Sequence, residues 1–567
     1  MALPGNERHF DAVVVGSGMT GGWAAKELTE LGLRTLVLEA GRPIDPEKDS
    51  REHVPPWQMP FRGMGDRRWV EAHQPIQRRS VEFDEWSHRY WVDDLENPYT
   101  TPADKPFDWF RARQMGGKSV LWGRQVYRWS DLDFEANARD GVAVDWPIRY
   151  RDIEGWYDHV ERFIGVSGQP EGLPQLPDGA FLPPMELNCV ERHMRDSMRA
   201  RFGAERVLTI GRVAVLTAPH GGRAACHYCG PCHRGCATRS YFSSINATLP
   251  AAQATGRLTV RPFSIVHSLV PAPGAGRLSG VRIIDARTRE VSEYSARLVF
   301  LCASALESAR ILLNSRSARF PEGLANSSGQ VGRNVMDHIK WGGGQGEFEG
   351  WQDRSSVGTR PNGIYVPRFR NLASRESGFI RGYGFQGRAR RIDWQDRLAD
   401  RGIGLDLKRR LMEPGPWVMS FWGYGEMLPR EENRCTLHPN GVDAWGIPIL
   451  HIDCAWGPNE RAMHRDMNAA AVEILEAAGA RNARADARGP SVPGNANHEM
   501  GTTRMGRDRR TSVLNAWNQA WDIPNLFVTD GACMTSSGCQ NPSLTYMALT
   551  ARACHYAVEQ LKQGRLG

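Results

Sequence analysis

The sequence predicts a mixed α/β fold, in which a domain built on βαβ units is combined with a second domain based on a separate sheet. In the first of these, a β-branched run from Asp11 to Val15 is followed by a glycine turn and by a helix pattern with one apolar face. Gly32 ends that helix, and Thr35 to Leu38 form a second strand. Strand patterns return at 257–302, and residues 340–457 mix glycines, aromatics and strand-like runs, which indicates the second sheet.

The length and composition are those of an ordinary globular chain. Its 567 residues are too many for one simple core, so we expect about two or three structural units, with at least one discontinuous in sequence. Hydrophobic residues make up 41% and charged residues 24%, and no stretch approaches the ~18 apolar residues that a membrane span needs. The N-terminus leads directly into a buried strand, so we expect no export signal in the chain itself.

The charge balance argues against nucleic acid as a partner. The net charge is +7, from 71 basic and 64 acidic residues, and it is distributed along the chain. A nucleic-acid site needs basic residues concentrated on one face. The most basic stretch, Arg381 to Arg410, is expected to be either a solvated face or a docking surface for an acidic partner.

A glycine-rich turn joins the first strand to the first helix. Gly16, Gly18 and Gly21 form a G-x-G-x-x-G motif, whose glycines let the backbone approach a pyrophosphate at the helix N-terminus. Glu39 ends the second strand, where a carboxylate accepts hydrogen bonds from the hydroxyls of an unphosphorylated adenosine ribose. Strand, helix and acid together predict dinucleotide binding, and the motif alone leaves NAD and FAD open.

Four of the eleven cysteines lie close together. The spacing Cys226-x2-Cys229-x2-Cys232-x3-Cys236 is that of bacterial ferredoxin ligands, with Ala237 in place of the usual proline. Structural zinc normally uses two C-x2-C pairs about a dozen or more residues apart. We therefore expect an iron–sulfur cluster, with zinc, disulfides and unligated thiols as the alternatives, and the spacing leaves three-iron and four-iron clusters open.

The C-terminal region carries the densest group of unusual residues. Residues 498–506 are HEMGTTRMG, residues 525–532 are NLFVTDGA, and residues 539–545 are CQNPSLT. With the glycine motif, these segments resemble the glucose-methanol-choline (GMC) oxidoreductases, especially the bacterial sugar dehydrogenases and the pyranose-oxidase-like branch. The resemblance extends to the segments 116–122 and 332–338, so it spans nearly the whole chain.

The resemblance implies a GMC-type fold with a Rossmann-like FAD-binding domain and a second, sheet-based substrate-binding domain. The FAD-binding domain is expected to be discontinuous, with an N-terminal part at residues 1–335 and a C-terminal part at residues 491–567. Its N-terminal part includes a loop-rich region at 43–165 and the cysteine loop at 226–236. Residues 336–490 are expected to form the substrate-binding domain.

The catalytic histidine and asparagine of the family match His498 and Asn541. Oxidation of an alcohol requires removal of the hydroxyl proton as a hydride leaves carbon for N5 of the flavin, and an imidazole with an ordinary pKa near ~6.5 is a suitable base. Asn541 does not titrate, so we expect it to hydrogen-bond the hydroxyl and orient the C–H bond. Leu121 stands where related pyranose oxidases carry the histidine that bonds to the flavin, which implies non-covalent FAD.

Further site residues are implied by the same resemblance. Besides the glycine motif and Glu39, the FAD is expected to contact Gly116, Gly117, Ser119, Val266, Asp530, Gly531 and Pro542. Gln540 and Glu499 are expected to help bind hydroxyls of the substrate.

The resemblance also implies a sugar dehydrogenase. The segment CHYCGPCHRGCATRSYFSS, residues 226–244, looks like bacterial dehydrogenases that oxidise glucosides at C3. The expected reaction therefore converts a secondary hydroxyl of a pyranose or glycoside, at C3, into a 3-keto sugar.

Related bacterial enzymes imply an electron route and a location. They favour a three-iron cluster, and they work with a cytochrome c and a small subunit that carries the export signal. Electrons are therefore expected to leave through the cysteine cluster. The chain is expected to be periplasmic by way of its partner and to meet a membrane only through partners, with a cytoplasmic location as the alternative. Two other functions are open: an oxygen-dependent pyranose or glycoside oxidase, and a non-redox flavoprotein or electron-transfer subunit.

Overall fold

A computed structural model describes residues 8–566, except for 275, 357, 374–377, 395 and 398–401. Seventeen strands lie within these residues. They are β1 (His9–Val15), β2 (Thr35–Leu38), β3 (Val166–Ser167), β4 (Phe181–Leu182), β5 (Thr209–Ile210), β6 (Leu258–Arg261), β7 (Ser264–Pro271), β8 (Leu278–Asp285), β9 (Val291–Leu301), β10 (Gly343–Phe348), β11 (Ile364–Val366), β12 (Tyr383–Arg391), β13 (Trp417–Gly425), β14 (Arg434–Val442), β15 (Pro448–Asp453), β16 (Arg481–Ala485) and β17 (Leu526–Val528).

Twelve α-helices lie in the same described ranges. They are α1 (Met19–Glu30), α2 (Pro46–Asp49), α3 (Arg67–His73), α4 (Asp131–Phe134), α5 (Ala136–Asp140), α6 (Glu154–Ile164), α7 (Cys189–Phe202), α8 (Thr248–Ala254), α9 (Ala305–Asn314), α10 (Gly404–Met412), α11 (Pro458–Ala477) and α12 (Ser543–Lys562). Of the helices that the structure describes, none is long and apolar enough to cross a bilayer.

The first sheet confirms the predicted βαβ unit. Its order is β6-β2-β1-β9-β8-β7, and β17 pairs with β9. The pairs that join β6, β2, β1, β9 and β17 are parallel, whereas β7, β8 and β9 pair in antiparallel fashion. Since parallel strands end at the same edge of a sheet, the segments that follow β1, β2, β9 and β17 meet there.

Helix α1 packs against this sheet and against α12. Ala24, Ala25 and Leu28 are fully buried, and they pack in one cluster with Ala553 and Ala557 of α12. Full burial of a leucine side chain contributes roughly 1.5–3 kcal/mol to folding. The small alanines let the helices approach closely, and this packing fixes the N-terminus of α1 above the glycine turn.

The second sheet confirms the separate sheet expected from residues 340–457. Its order is β16-β10-β13-β12-β11-β5, and all of its pairs are antiparallel. It draws its two edge strands from outside that range, β5 from Thr209–Ile210 and β16 from Arg481–Ala485. Both edge strands are short, and the two residues of β5 carry no periodicity that could be read from the sequence.

The two faces of the second sheet meet different neighbours. Phe385 and Phe421 are buried on the face that packs against α11, where Met467 fills the space beside the glycines of β13. Because successive side chains of a strand point to opposite faces, Gln386 and Trp422 lie on the other face. That face is directed toward the carboxyl edge of the first sheet, and the functional site lies between the two sheets.

Candidate active site

Glycines make room for a ligand at the carboxyl edge of the first sheet. Gly16 has a φ of +92°, and a Cβ on Gly21 would lie 1.9 Å from the carbonyl oxygen of Gly16. A Cβ on Gly117 would lie 3.2 Å from Cα of Gly18. The two glycine segments therefore face each other at the N-terminus of α1, as a pyrophosphate-binding turn requires.

Glu39 lies at the end of β2 and is held by the same turn. Its Oε2 accepts hydrogen bonds from the backbone N–H of Ser17 at 3.1 Å and from Ser17 Oγ at 2.6 Å, and its Oε1 accepts one from the N–H of Gly41 at 2.8 Å. Burial raises the pKa of the carboxyl. An ionised carboxylate has about four acceptor positions, so Glu39 keeps acceptor capacity for a ribose hydroxyl.

Asp530 follows β17 and is fixed in a similar way. Its carboxylate accepts hydrogen bonds from the backbone N–H groups of Ser304 and Ala532, both at 2.9 Å, and from Ser308 Oγ at 2.5 Å. Burial raises the pKa of Asp530 to about 6. The next residue, Gly531, passes so close to Glu499 that a Cβ would lie 2.2 Å from its carbonyl oxygen.

One continuous cavity of about 300 Å³ extends from Glu39 to His498 and Asn541. Most of the residues predicted to contact the cofactor form part of its wall. Those that line it are Gly16, Gly18, Glu39, Gly117, Ser119, Val266, Asp530 and Gly531, whereas Gly21, Gly116 and Pro542 do not. The nucleotide end and the catalytic end predicted from the sequence thus share one space.

His498 and Asn541 lie side by side at the far end of the cavity. The distance from His498 Nε2 to Asn541 Nδ2 is 3.4 Å. The other end of the Asn541 amide is fixed, because Gln386 Nε2 donates a hydrogen bond to its Oδ1 at 2.5 Å. The amide N–H of Asn541 therefore faces the imidazole and the cavity.

A hydrogen-bonded chain determines which nitrogen of His498 carries a proton. A carbonyl oxygen can only accept, so His338 Nε2, which contacts the carbonyl of Gly538, must carry a hydrogen. In a neutral His338 the other ring nitrogen is then an acceptor, and it lies 2.7 Å from His498 Nδ1. His498 Nδ1 therefore donates, and His498 Nε2 is the unprotonated ring nitrogen, which accepts the 3.4 Å hydrogen bond from Asn541 Nδ2 at the cavity.

Burial keeps both imidazoles uncharged. It lowers the pKa of His338 to about 4, and it lowers the pKa of His498 well below the ordinary value, with positive charge on Lys340 and Lys118 acting in the same direction. Asp337 fixes the backbone around His498, because its carboxylate accepts hydrogen bonds from the backbone N–H groups of Ala496 and His498 at 3.1 Å each.

The two predicted substrate contacts differ in position. Glu499 lines the cavity, accepts a 2.9 Å hydrogen bond from Lys118 Nζ, and has a second carboxylate oxygen without a hydrogen-bond partner among the described residues. Gln540 does not line the cavity, and its amide N–H donates to Asp133 and to the carbonyl of Gln175, both at 3.3 Å. The geometry favours Glu499 over Gln540 as a group that meets substrate.

Three residues of the site have no role in the sequence-based prediction. His338 lies in the segment 332–338 that resembles the GMC family, but its role depends on contacts with Gly538 and His498 that are distant in sequence. Gln386 and Tyr424 come from strands β12 and β13, and the Tyr424 ring lies 5.9 Å from that of His498. No local pattern marks residues of this kind.

The four clustered cysteines share one loop. Cys226, Cys229, Cys232 and Cys236 are half-buried, and none forms a disulfide. Cys226 Sγ accepts a hydrogen bond from the N–H of Tyr228 at 3.4 Å. Within the part of the chain that the structure describes, no group of three or more His, Cys, Asp or Glu side chains is arranged to hold a metal ion. The metal-ligand role of these cysteines stays a prediction.

A dinucleotide cavity that ends at a histidine and an asparagine is the arrangement expected of an oxidoreductase acting on CH–OH groups. Models of the GMC oxidoreductase family match residues 10–340 and 429–550. The chain belongs to the GMC oxidoreductase family, and its cofactor is FAD.

Curated relatives cover nearly the whole chain. The 2-methyl-1,2-propanediol dehydrogenase of Mycolicibacterium austroafricanum is 29% identical over 96% of this chain and 94% of its own length. The fructose dehydrogenase large subunit of Gluconobacter japonicus is 25% identical over 98% of each chain. Among solved structures, a variant of the Aspergillus oryzae RIB40 formate oxidase superposes with a TM-score of 0.64 at 13% identity, covering 99% of this chain and 100% of its own. That structural similarity shows the fold.

We predict that His338 positions His498 as the base. Two replacements of His338, one that keeps its hydrogen bonds and one that removes them, test this role. His338→Phe removes the acceptor for His498 Nδ1, so the rate of anaerobic flavin reduction by an alcohol substrate should fall about 10- to 100-fold while FAD stays bound. His338→Gln can still donate to Gly538 and accept from His498, and should retain most of the rate. Equal rates for the Phe and Gln variants would contradict this assignment.

The depressed pKa of His498 predicts a flat pH profile around neutrality. The base works only when unprotonated, and its folded pKa lies below the ordinary value, so activity is lost only as the pH falls well below ~6.5. Stopped-flow measurement of flavin reduction between pH 5 and 8 tests this expectation. A midpoint at or above pH ~6.5 would show that the histidine is not desolvated as described.

Proposed function

We propose that the protein is an FAD-dependent sugar dehydrogenase that oxidises a secondary hydroxyl of a pyranose or glycoside, at C3. The observation that carries the proposal is the pairing of an unprotonated His498 Nε2 with the Asn541 amide, 3.4 Å apart, in the cavity that also reaches Glu39. FAD, when bound, supplies the flavin N5 that accepts a hydride.

The residues of the chain account for the rest of the reaction. Asn541 donates a hydrogen bond to the hydroxyl oxygen and so orients the C–H bond, and Gln386 holds the amide in that orientation. His498 Nε2 removes the hydroxyl proton as the hydride leaves carbon, so that a carbonyl forms. Because burial disfavours the charged imidazole, the proton is readily released again.

Sugar as the substrate class is supported by similarity to the fructose dehydrogenase large subunit over 98% of both chains. Oxidation at C3 is supported by the resemblance of residues 226–244 to glucoside 3-dehydrogenases. A small aliphatic diol is the second candidate substrate, because the 2-methyl-1,2-propanediol dehydrogenase shares 29% identity with this chain.

The proposed electron route passes through an iron–sulfur cluster on Cys226, Cys229, Cys232 and Cys236 to a cytochrome-type acceptor. The ferredoxin-like spacing supports it, and so does the placement of four thiols, free of disulfides, on one half-buried loop. The name "large subunit" of the fructose dehydrogenase relative supports a partner subunit. We propose that such a partner takes this chain to the periplasm.

One experiment separates the proposed function from its alternatives. The FAD-loaded protein is mixed anaerobically with glucose, methyl glucosides, fructose and 1,2-propanediol, and product structures are determined by NMR. We expect glucosides to bleach the flavin and to give 3-keto products. His498→Ala should abolish flavin reduction with FAD still bound, and near-normal reduction in this variant would refute its role as the base.

The remaining outcomes of this experiment identify the alternatives. Preferential reduction by the diol would replace the sugar with a small aliphatic substrate. The same incubations repeated under air test for an oxidase, which would give hydrogen peroxide in stoichiometric yield. An absence of flavin reduction by every alcohol would indicate a flavoprotein without this chemistry.

For the cluster, we predict iron and acid-labile sulfide in the purified protein and a paramagnetic resonance signal of a three-iron cluster. Cys229→Ser should lower the iron content and slow electron transfer to cytochrome c, while leaving flavin reduction by substrate intact. Cys189→Ser, a half-buried cysteine outside the loop, is the matched control and should change none of these. An iron-free protein with full activity toward cytochrome c would exclude the cluster.

A further inference from the structure

A second pocket opens beside the catalytic cavity. We call it the outer pocket; it is lined by Gln125, residues 360–364, residues 386–388 and Trp422, and its volume is about 150 Å³. Gln125 and Gln386 line both this pocket and the catalytic cavity. The two spaces therefore adjoin at these side chains.

The wall between the two spaces is close to the reacting groups. Gln386 Nε2 donates the 2.5 Å hydrogen bond that orients Asn541. A substrate whose hydroxyl contacts Asn541 lies next to Gln386, and any substituent that passes this side chain enters the outer pocket. The outer pocket is thus placed to contact the part of a substrate that is remote from the oxidised carbon.

The second sheet presents an aromatic ring and a cation to this pocket. Gln386 and Arg388 are two residues apart on β12, so their side chains lie on the same face. Trp422 of β13 is paired directly with Gln386 in the sheet, and 37% of its surface is exposed. The face therefore offers a ring for stacking next to a guanidinium group.

The charge of Arg388 is available to a ligand. Arg360, in the same pocket, is neutralised by Glu191, whose carboxylate accepts two hydrogen bonds from it at 2.7 and 2.9 Å. Arg388 is exposed and makes no hydrogen bond or ion pair with the described residues. No Asp or Glu belongs to the described lining of the pocket. The pocket consequently favours an anion.

Asn362 adds a buried acceptor to the same pocket. Its side chain is 5% exposed, and its Nδ2 donates to the carbonyl of Gly211 at 2.6 Å. Its Oδ1 has no hydrogen-bond partner in the described part of the chain. A buried polar atom without a partner is costly, and a ligand hydroxyl would satisfy it.

We propose that the outer pocket is a substrate subsite for a carboxylate on the aglycone end of a glycoside. Arg388 pairs with the carboxylate, Trp422 stacks against the aglycone, and Asn362 accepts a hydrogen bond from a hydroxyl. The inference rests on the proposed function in taking a glycoside as the substrate, and it names the chemical class of that glycoside.

The test uses two probes that differ in one group, phenyl β-D-glucopyranoside and 4-carboxyphenyl β-D-glucopyranoside. Their binding is measured by anaerobic calorimetry on the holoenzyme whose flavin has been reduced with dithionite, because the reduced flavin cannot oxidise the probes during the titration. We expect the carboxylated probe to bind about tenfold more tightly, because a charge-assisted hydrogen bond to an arginine is one of the stronger polar contacts. Arg388→Gln should reduce this difference to less than about twofold, and Arg388→Lys should keep part of it.

Arg390→Gln is the matched control for loss of one positive charge. Arg390 lies two residues further along β12, outside the pocket, and is paired with Asp396 at 2.5 and 2.9 Å. It should leave the tenfold preference intact. Equal affinity for the two probes in the unmodified protein, no binding of either probe, or the same loss of preference in Arg390→Gln as in Arg388→Gln would each overturn the proposal.

Flavin reduction by the same probes keeps the two proposals apart. Preferential binding of the carboxylated probe without anaerobic bleaching of the flavin would leave the subsite standing and refute the proposed function. Bleaching of the flavin by both probes, together with equal dissociation constants, would support the proposed function and refute the subsite. When both proposals hold, the preference should be expressed in KM and not in the rate of flavin reduction at saturation.

Discussion

The common carboxyl edge of the parallel strands is the constraint on which the rest of the structure depends. Strands β1, β2, β9 and β17 all end there, and Gly16, Glu39, Ser304 and Asp530 follow them. No other place in the sheet brings the turn, the two carboxylates and the N-terminus of α1 within reach of one ligand. The discontinuous order of the chain follows from this, because β17, far along the sequence, must pair with β9 to bring Asp530 to that edge.

The second sheet completes the site from the opposite side. Its face carries Gln386 and Tyr424 to the far end of the cavity, where the segment after β17 supplies Asn541. The tautomer of His498, the proposed base, is set by a hydrogen-bonded chain that also includes His338 and the carbonyl of Gly538. The cavity is lined both by segments at the edge of the first sheet and by side chains of the second sheet, so the packing of the two sheets determines the alignment of donor and acceptor atoms.

The sequence predicts the parts of this molecule whose signals are local. The glycine turn, Glu39 and the first two strands were correctly located, because strand periodicity and turn chemistry act over a few residues. The edge strands β5 and β16 were missed, since pairing partners in an antiparallel sheet are set by tertiary contacts. His338 and Gln386 were missed as members of the site for the same reason. Their roles depend on which atoms the fold brings together.

The hydrogen bonds that fix the tautomer of His498 run through His338 to the neutral backbone carbonyl of Gly538, and this has a consequence for turnover. Among the described residues, no carboxylate hydrogen-bonds either imidazole ring, and the Asp337 carboxylate reaches the backbone N–H of His498 instead of its ring. Burial and nearby positive charge lower the pKa of His498, so an imidazolium formed there would give up its proton readily. In the proposed reaction, the proton taken from the alcohol would therefore leave His498 readily, and no positive charge would be held at this imidazole between turnovers.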